Sequence, residues 1–316
     1  MTYDVAIIIL AYNSERQLGE CLRSVLDLRR AVTQQVIVLD NASPDRSGDL
    51  VEENFPEVTL IRSKKNLGFA AGVNLAARQA DAEFILLLNP DTVLLNQAVD
   101  AVVQFARARP GHGLYGGRTF KPDGSLEPSS CWGLPTLWSL ATFACGLSTL
   151  FVRNPFFDPE SLGRWPRDTV REVGIITGCF LLISREVWEQ LGGFDPRYFM
   201  YGEDIDLAMR AHAAGFRPLI CPDAHLIHEV GQSSKVPAHK AMLLYRGKAT
   251  LIHAHWRGLR RWLGLCLLLG GVAIRAMAAW LQLPTKGRQE TDRWLVLWRQ
   301  RDTWRHGYPE NPAHRP

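Results

Sequence analysis

Val5-Ala6-Ile7-Ile8-Ile9-Leu10 is an unbroken apolar run, and Asn13-Ser14 ends it. A strand this continuous is buried on both faces, as in a parallel sheet covered by helices. Working outward, Ser14 with Gln17 three residues on reads as a capping box. It opens a helix to about Leu28 with Leu18, Cys21, Leu22 and Val25 on one face. A second strand over 36–39 ends at Asp40, and Asn41-Ala42-Ser43-Pro44-Asp45 turns into a helix through Leu50 and Val51. A third strand over 58–61, a short helix over 72–78 and a fourth strand over 84–88 follow, the last ending at Asn89-Pro90-Asp91. The order β-α-β-α-β-α-β predicts an α/β fold with a mainly parallel central sheet.

Beyond residue 95 the pattern changes. A helix is expected over 96–109, a strand over 115–120 with a Pro122-Asp123-Gly124 hairpin turn, and strand character over 173–183. Residues 185–191 read as a short helix closed by Gly192-Gly193, and 203–214 as a helix with Gly215 beyond its end. Residues 128–152 hold no Asp, Glu, Lys or Arg, and a second apolar stretch, 262–283, is interrupted by Arg275.

With 47% hydrophobic and 22% charged residues in 316, the chain is an ordinary folded protein. Disordered, collagen-like and polytopic membrane classes are excluded. The six cysteines form no C-x-x-C pair and read as reduced, small apolar residues. Met1 runs straight into strand character without a signal-peptide layout, which places the chain on the cytoplasmic side. The net charge of +4 conceals an asymmetry: residues 1–229 carry 21 Lys+Arg against 28 Asp+Glu, whereas 230–316 carry 15 against 4. A basic tail holding six of the ten Trp suggests an anionic surface as partner, and its apolar run favours lipid over nucleic acid.

Ligands of open parallel sheets bind outside the carboxyl ends of the strands. There the chain offers Tyr12 and Asn13, Asp40 and Asn41, Asn66 and Gly68, and Asn89 and Asp91. The first turn has no glycine to admit a pyrophosphate, so a nicotinamide-dinucleotide site is disfavoured, and no G-x-x-x-x-G-K-[ST] loop occurs. Five stretches carry a resemblance: Ile9-Leu10-Ala11-Tyr12-Asn13, Leu39-Asp40-Asn41-Ala42-Ser43, Asn66-Leu67-Gly68-Phe69-Ala70, Asn89-Pro90-Asp91, and Tyr201-Gly202-Glu203-Asp204-Ile205-Asp206. In this order and spacing, over about residues 3–234, the chain resembles glycosyltransferase family 2, most of all its rhamnosyltransferase-like branch. The resemblance implies a GT-A, Rossmann-like fold, a nucleotide-sugar donor, a divalent metal (Mg²⁺ or Mn²⁺) and inversion at the anomeric carbon.

The residue chemistry suits that resemblance. Asp40 can accept the imide N–H of uracil or thymine, with Ala11, Tyr12 and Asn13 beside it. Asn66 and the Gly68 backbone would lie near the nucleoside and phosphates, with Arg78 as a diphosphate partner. The family's metal motif is commonly Asp-x-Asp, and here Asn89 replaces the first carboxylate, leaving Asp91 as the anionic ligand. Asp204 matches the general base on the acceptor hydroxyl, Glu203 would orient it or contact the acceptor, and Asp206 reads as a helix residue holding Arg or water. His228, with His225 as local competitor, resembles the late His that approaches the metal or diphosphate.

These readings give a catalytic domain over 1–234, with a nucleotide-binding half (1–95) and an acceptor-binding half (96–234). A basic, Trp-rich helical tail over 235–316 would associate with the membrane. The expected activity is inverting transfer from a dTDP- or UDP-sugar, dTDP-rhamnose by resemblance, to a lipid-linked saccharide at the cytoplasmic membrane face. A polyprenyl-phosphate acceptor and a non-catalytic nucleotide-binding scaffold are the rival readings; no nucleic-acid partner is expected. Arg275 argues against a bilayer span over 262–283 and for a helix in the headgroup plane or packed on the core.

Overall fold

The computed structural model describes residues 1–27, 31–229, 237–281 and 288–309. Among them the chain divides into two units: Met1–Trp132, Trp165–Phe199 and Asp204–Ser233 form the first, and Gly133–Arg164, Met200–Glu203 and Ser234–Pro316 the second.

The first unit opens with β1 (Tyr3–Ala11), α1 (Glu15–Leu26), β2 (Gln34–Asp40), α2 (Ser47–Asn54), β3 (Thr59–Arg62), α3 (Phe69–Ala77) and β4 (Ala82–Leu88). These four strands lie in the order β3-β2-β1-β4, all parallel, as the apolar run of β1 predicts. Residues 5–11 are all buried. Val5, Ile7 and Ile9 share a core cluster with Leu18, Cys21, Leu22 and Val25 of α1. Then come β5 (Thr92–Leu94), α4 (Ala98–Arg107), β6 (Leu114–Phe120) and β7 (Cys131–Trp132). The second unit takes α5 (Leu137–Ala144) and α6 (Leu147–Leu150) before the chain returns to the first as β8 (Arg171–Glu172), β9 (Ile175–Ile176), β10 (Phe180–Ser184) and α7 (Arg185–Leu191). After α8 (Glu203–Ala213) and β11 (Leu219–His228), the sheet is complete. Its further order is β4-β10-β6-β11-β5, with β10 antiparallel to β4 and β6, β11 parallel to β6, and β5 and β8 antiparallel to β11. The later half therefore mixes directions, so its strands do not repeat the βαβ rhythm.

The second unit continues with α9 (Pro237–His255), α10 (Gly258–Trp280), α11 (Arg288–Arg299) and α12 (Arg301–Trp304). Helix α10 packs on α5, so part of the uncharged 128–152 stretch groups with the C-terminal helices rather than with the sheet. The expected boundary at 234/235 lies outside the described residues, as do Leu28, Leu283 and the 231–234 continuation after His228.

Two local expectations change. Helix α3 starts at Phe69, three residues earlier than the sequence pattern places it. The Ser14/Gln17 capping box does not form: Ser14 Oγ turns back to donate to Tyr12 O at 3.1 Å. The α1 entrance is capped instead from a distant loop, where Asp45 Oδ2 accepts the Glu15 N–H at 2.9 Å. The other oxygen, Oδ1, accepts the Ser47 hydroxyl at 2.6 Å, and Ser47 Oγ in turn receives the Ser14 N–H at 3.0 Å. The Gln17 N–H that a capping box would engage goes instead to the Ser14 carbonyl at 3.0 Å.

Burial works to raise the Asp45 pKa, but the Ser47 and Glu15 hydrogen bonds outweigh it and hold it below 3.8. Its contribution to stability is therefore complete above that value and is lost as pH falls through the folded pKa. Asp45→Ala should cost about 1–2 kcal/mol at neutral pH, the worth of a good helix cap. The deficit relative to wild type should shrink in acid, as read from urea unfolding at both pH values.

Candidate active site

The C-terminal ends of β1, β2 and β4 and the start of α3 converge through a short chain of buried contacts. At the end of β2, Asp40 is buried and its Oδ1 accepts the Ser43 N–H at 3.0 Å. Its neighbour Asn41, 1% exposed, organises the adjoining loop. Asn41 Nδ2 donates to Asn66 Oδ1 at 3.0 Å and to Gly68 O at 3.2 Å, while its Oδ1 accepts the Leu67 N–H at 2.8 Å. The Asn41 N–H donates to Ala11 O at 2.9 Å, joining the end of β1 to the same group. Tyr12 and Asn13 follow on the surface, with Asn13 N–H donating to Ser43 Oγ at 3.3 Å.

Gly68 caps α3 at φ +78°, and a Cβ there would overlap the Phe199 carbonyl oxygen. Only glycine satisfies both demands. The Phe69 N–H donates to that carbonyl at 2.6 Å, and the Phe69 ring lies against Gly178.

Gly178 belongs to the turn between β9 and β10, which connects the two chemically loaded groups. Its backbone lies near enough to the carboxylate of Asp204 to favour the charged form, and Asp204 stands partly buried in the first turn of α8. Asp204 Oδ1 accepts the Ile205 N–H at 2.8 Å. Burial pushes the carboxyl up to about 6 against the pull of these backbone donors. On the other side of the turn, Cys179 O accepts the Asn89 N–H at 3.1 Å, and Cys179 lies beside His228.

The β5–β11 register pairs Thr92 with His228 and so sets Asp91 next to the imidazole, Oδ1 to Nε2 at 3.4 Å. Burial lowers the His228 pKa, but Asp91 and Cys179 outweigh it and hold it at about 10. Asp91 Oδ1 and His228 Nδ1 are buried with no hydrogen-bond partner. Nε2 is the ring nitrogen that faces Asp91, so a divalent cation would take Asp91 Oδ1 and Nε2 in place of their mutual contact, once the ring gives up its proton. Among the described residues no three His, Cys, Asp or Glu side chains converge on a cation. The remaining ligand positions would fall to diphosphate oxygens and water.

Most of the sequence-predicted residues thus lie along one connected path: Ala11, Asp40, Asn66, Gly68, Asn89, Asp91, Asp204 and His228, with Tyr12 and Asn13 at its surface. Arg78 does not join them. It is the exposed residue at the C-terminal end of α3, roughly 15 Å along the helix axis from Gly68. Asp206 holds Arg210, whose Nε donates to it at 2.8 Å, as expected of a helix residue. His225 turns its Nε2 to Pro222 O at 2.8 Å, away from Asp91's partner role. Glu203 belongs to the second unit, where burial pushes the Tyr308 phenol up to about 12 and the Glu203 carboxylate adds to the shift. Asn41 and the Gly178-Cys179 turn were not assigned roles from sequence. Asn41 stood in a quoted motif, but Gly178-Cys179 carries no recognisable signal.

The model of the family described as Glycosyl transferase family 2 matches residues 6–192, and that of Glycosyl transferase family group 2 matches 164–307. The N-acetylglucosaminyl-diphospho-decaprenol L-rhamnosyltransferase of Mycobacterium tuberculosis H37Rv is 30% identical over 294 residues, covering 87% of this chain and 92% of that protein. Rhamnosyltransferase WbbL of Escherichia coli K12 is 27% identical over 173 residues, 51% of this chain and 60% of that one. The mannosyltransferase PcManGT of Pyrobaculum calidifontis, solved with GDP-Man and Mn²⁺, superposes with a TM-score of 0.56 at 20% identity, over 96% of this chain and 84% of that one. Staphylococcus aureus TarS with UDP-GlcNAc gives 0.52 at 17% identity, over 93% and 79%. The fold is GT-A.

Asn41→Ala strips partners from the Leu67 N–H and the Gly68 carbonyl inside the structure. It should cost about 2–3 kcal/mol in denaturant unfolding, whereas a surface change such as Glu57→Ala should stay within about 0.5 kcal/mol.

Proposed function

The chain belongs to glycosyl transferase family 2, in its rhamnosyltransferase-like branch, and is a glycosyltransferase. From that premise we propose that it inverts the anomeric carbon while moving a sugar from a nucleotide-sugar donor to a hydroxyl of a lipid-linked saccharide, in cell-envelope polysaccharide synthesis. The observation that carries the reading is Asp204: a partly buried carboxylate at about 6, near Gly178 of the turn that also carries Cys179 beside the Asp91–His228 pair. A base serves best with a pKa near the working pH.

In this reading Asp40 accepts the imide N–H of the base, and the Asn66–Gly68 loop borders the nucleoside and phosphates. Asp204 takes the proton of the acceptor hydroxyl as its oxygen bonds to the anomeric carbon. The bond from that carbon to the diphosphate breaks in the same displacement, and the nucleoside diphosphate leaves. Asp91 and His228 would hold a Mg²⁺ or Mn²⁺ ion, which when bound offsets charge on the departing diphosphate. The Mycobacterium tuberculosis relative, named for rhamnose and a decaprenol-diphosphate acceptor, supports rhamnose as the sugar moved and a lipid diphosphate saccharide as acceptor. The absence of any Asp or Glu between Glu229 and Glu290 supports work at the anionic, cytoplasmic face of a membrane.

Transfer of labelled rhamnose from dTDP-rhamnose to a lipid-linked acceptor separates the roles. Asp204→Asn should lower kcat by about 10²-fold or more and leave donor KM within about twofold, because the base acts in the transition state. Asp40→Ala should instead raise donor KM by about tenfold or more through loss of a charge-assisted hydrogen bond. Wild-type turnover in Asp204→Asn would remove the base from the mechanism.

A further inference from the structure

Helix α10 of the second unit has two faces of opposite kind. At about 100° per residue, Leu259, Trp262, Cys266, Ile274, Met277 and Trp280 fall along one stripe, and all are exposed. The inner face is buried and built from small residues and Leu268. There Gly271 approaches α5 so closely that a Cβ would collide with the Phe143 ring.

Arg275, the charge that breaks the apolar run, belongs to the inner face. Its guanidinium donates to Phe143 O at 2.8 Å, to Gly271 O at 3.1 Å and to Thr149 Oγ1 at 3.1 Å, and it stacks over the Phe143 ring at 4.0 Å. The outer stripe from Trp262 to Leu281 is therefore free of charge. In the same unit, Leu150 at the end of α6 and the following Phe151, Val152 and Phe156 are also exposed. Arg257, Arg260 and Arg261 stand at the entrance of α10.

The helix is long and apolar enough to cross a bilayer: it has 23 residues, and an 18-residue window within it has a mean hydropathy of 1.8. Crossing would carry Arg275 and the packed α5 into hydrocarbon with it. An uncharged stripe with Trp at both ends and Arg at its entrance fits the boundary between headgroups and acyl chains.

We propose that α10 lies flat on an anionic bilayer, its outer stripe among the acyl chains and Arg257, Arg260 and Arg261 on the lipid phosphates. The exposed 150–156 segment forms a second contact. This deepens the proposed lipid-linked reaction by naming the surface that would meet the membrane.

The test is sedimentation of the full chain with phosphatidylcholine vesicles, with and without phosphatidylglycerol. Wild type should bind the anionic vesicles about tenfold or more tightly than the neutral ones and should be stripped off by alkaline carbonate. Trp262→Glu with Met277→Glu should weaken partitioning about tenfold or more while melting temperature and UDP or dTDP binding stay unchanged. Phe151→Glu with Phe156→Glu should weaken it by a smaller factor. Equal vesicle binding by the α10 double variant overturns the proposal. So does retention after carbonate, which would mean a span, or a dimer in light scattering that the same substitutions dissolve. Vesicle binding is read without turnover, so an active Asp204→Asn would sink the catalytic reading and leave this one standing.

Discussion

The hydrogen bond from the Asn89 N–H to Cys179 O, at 3.1 Å, is the contact on which the arrangement depends. It closes the end of β4 against the start of β10, an antiparallel neighbour inserted beside four parallel strands. That insertion brings a distant turn, Thr177 to Cys179, to the edge where the first strands deliver their polar groups. Gly178 then lies near Asp204, and Cys179 stands beside His228. Thr177 anchors the turn by donating its hydroxyl to Ser129 O at 2.9 Å.

The first half of the molecule was legible because its signals are local. Continuous apolar strands, short amphipathic helices and polar strand ends follow one another within 90 residues, and each element announces itself by period and punctuation. The second half was less so. Strands β8 and β9 are two residues long, and β10 and β6 pair across more than 60 residues of intervening chain. No periodicity encodes such pairing. The capping of α1 failed for the same reason: its partner, Asp45, lies 30 residues away from Glu15.

The candidate site shows a similar division. Asp40, Asn66, Gly68, Asp91 and Asp204 were proposed from motifs that retain their order along the chain, and they lie along one connected path in the fold. Arg78 was placed by proximity in sequence, and the helix between it and Gly68 separates them. Asn41 was visible in its motif, but its role is architectural: three hydrogen bonds that shape the Asn66–Gly68 loop. Arg275 looked like a flaw in an apolar helix, yet it is the clamp between α10 and α5.

The partial burial of Asp204 makes its charged form costly, and the backbone donors around it only partly offset this. A carboxylate in that balance changes protonation in the range where an acceptor hydroxyl must be activated. The pH dependence of kcat for wild type, under saturating donor and acceptor, tests this most directly. The account predicts a rise with pH that is half complete near pH 6, because only ionised Asp204 can take the proton. A kcat that is flat from about pH 5 to 8 would contradict it.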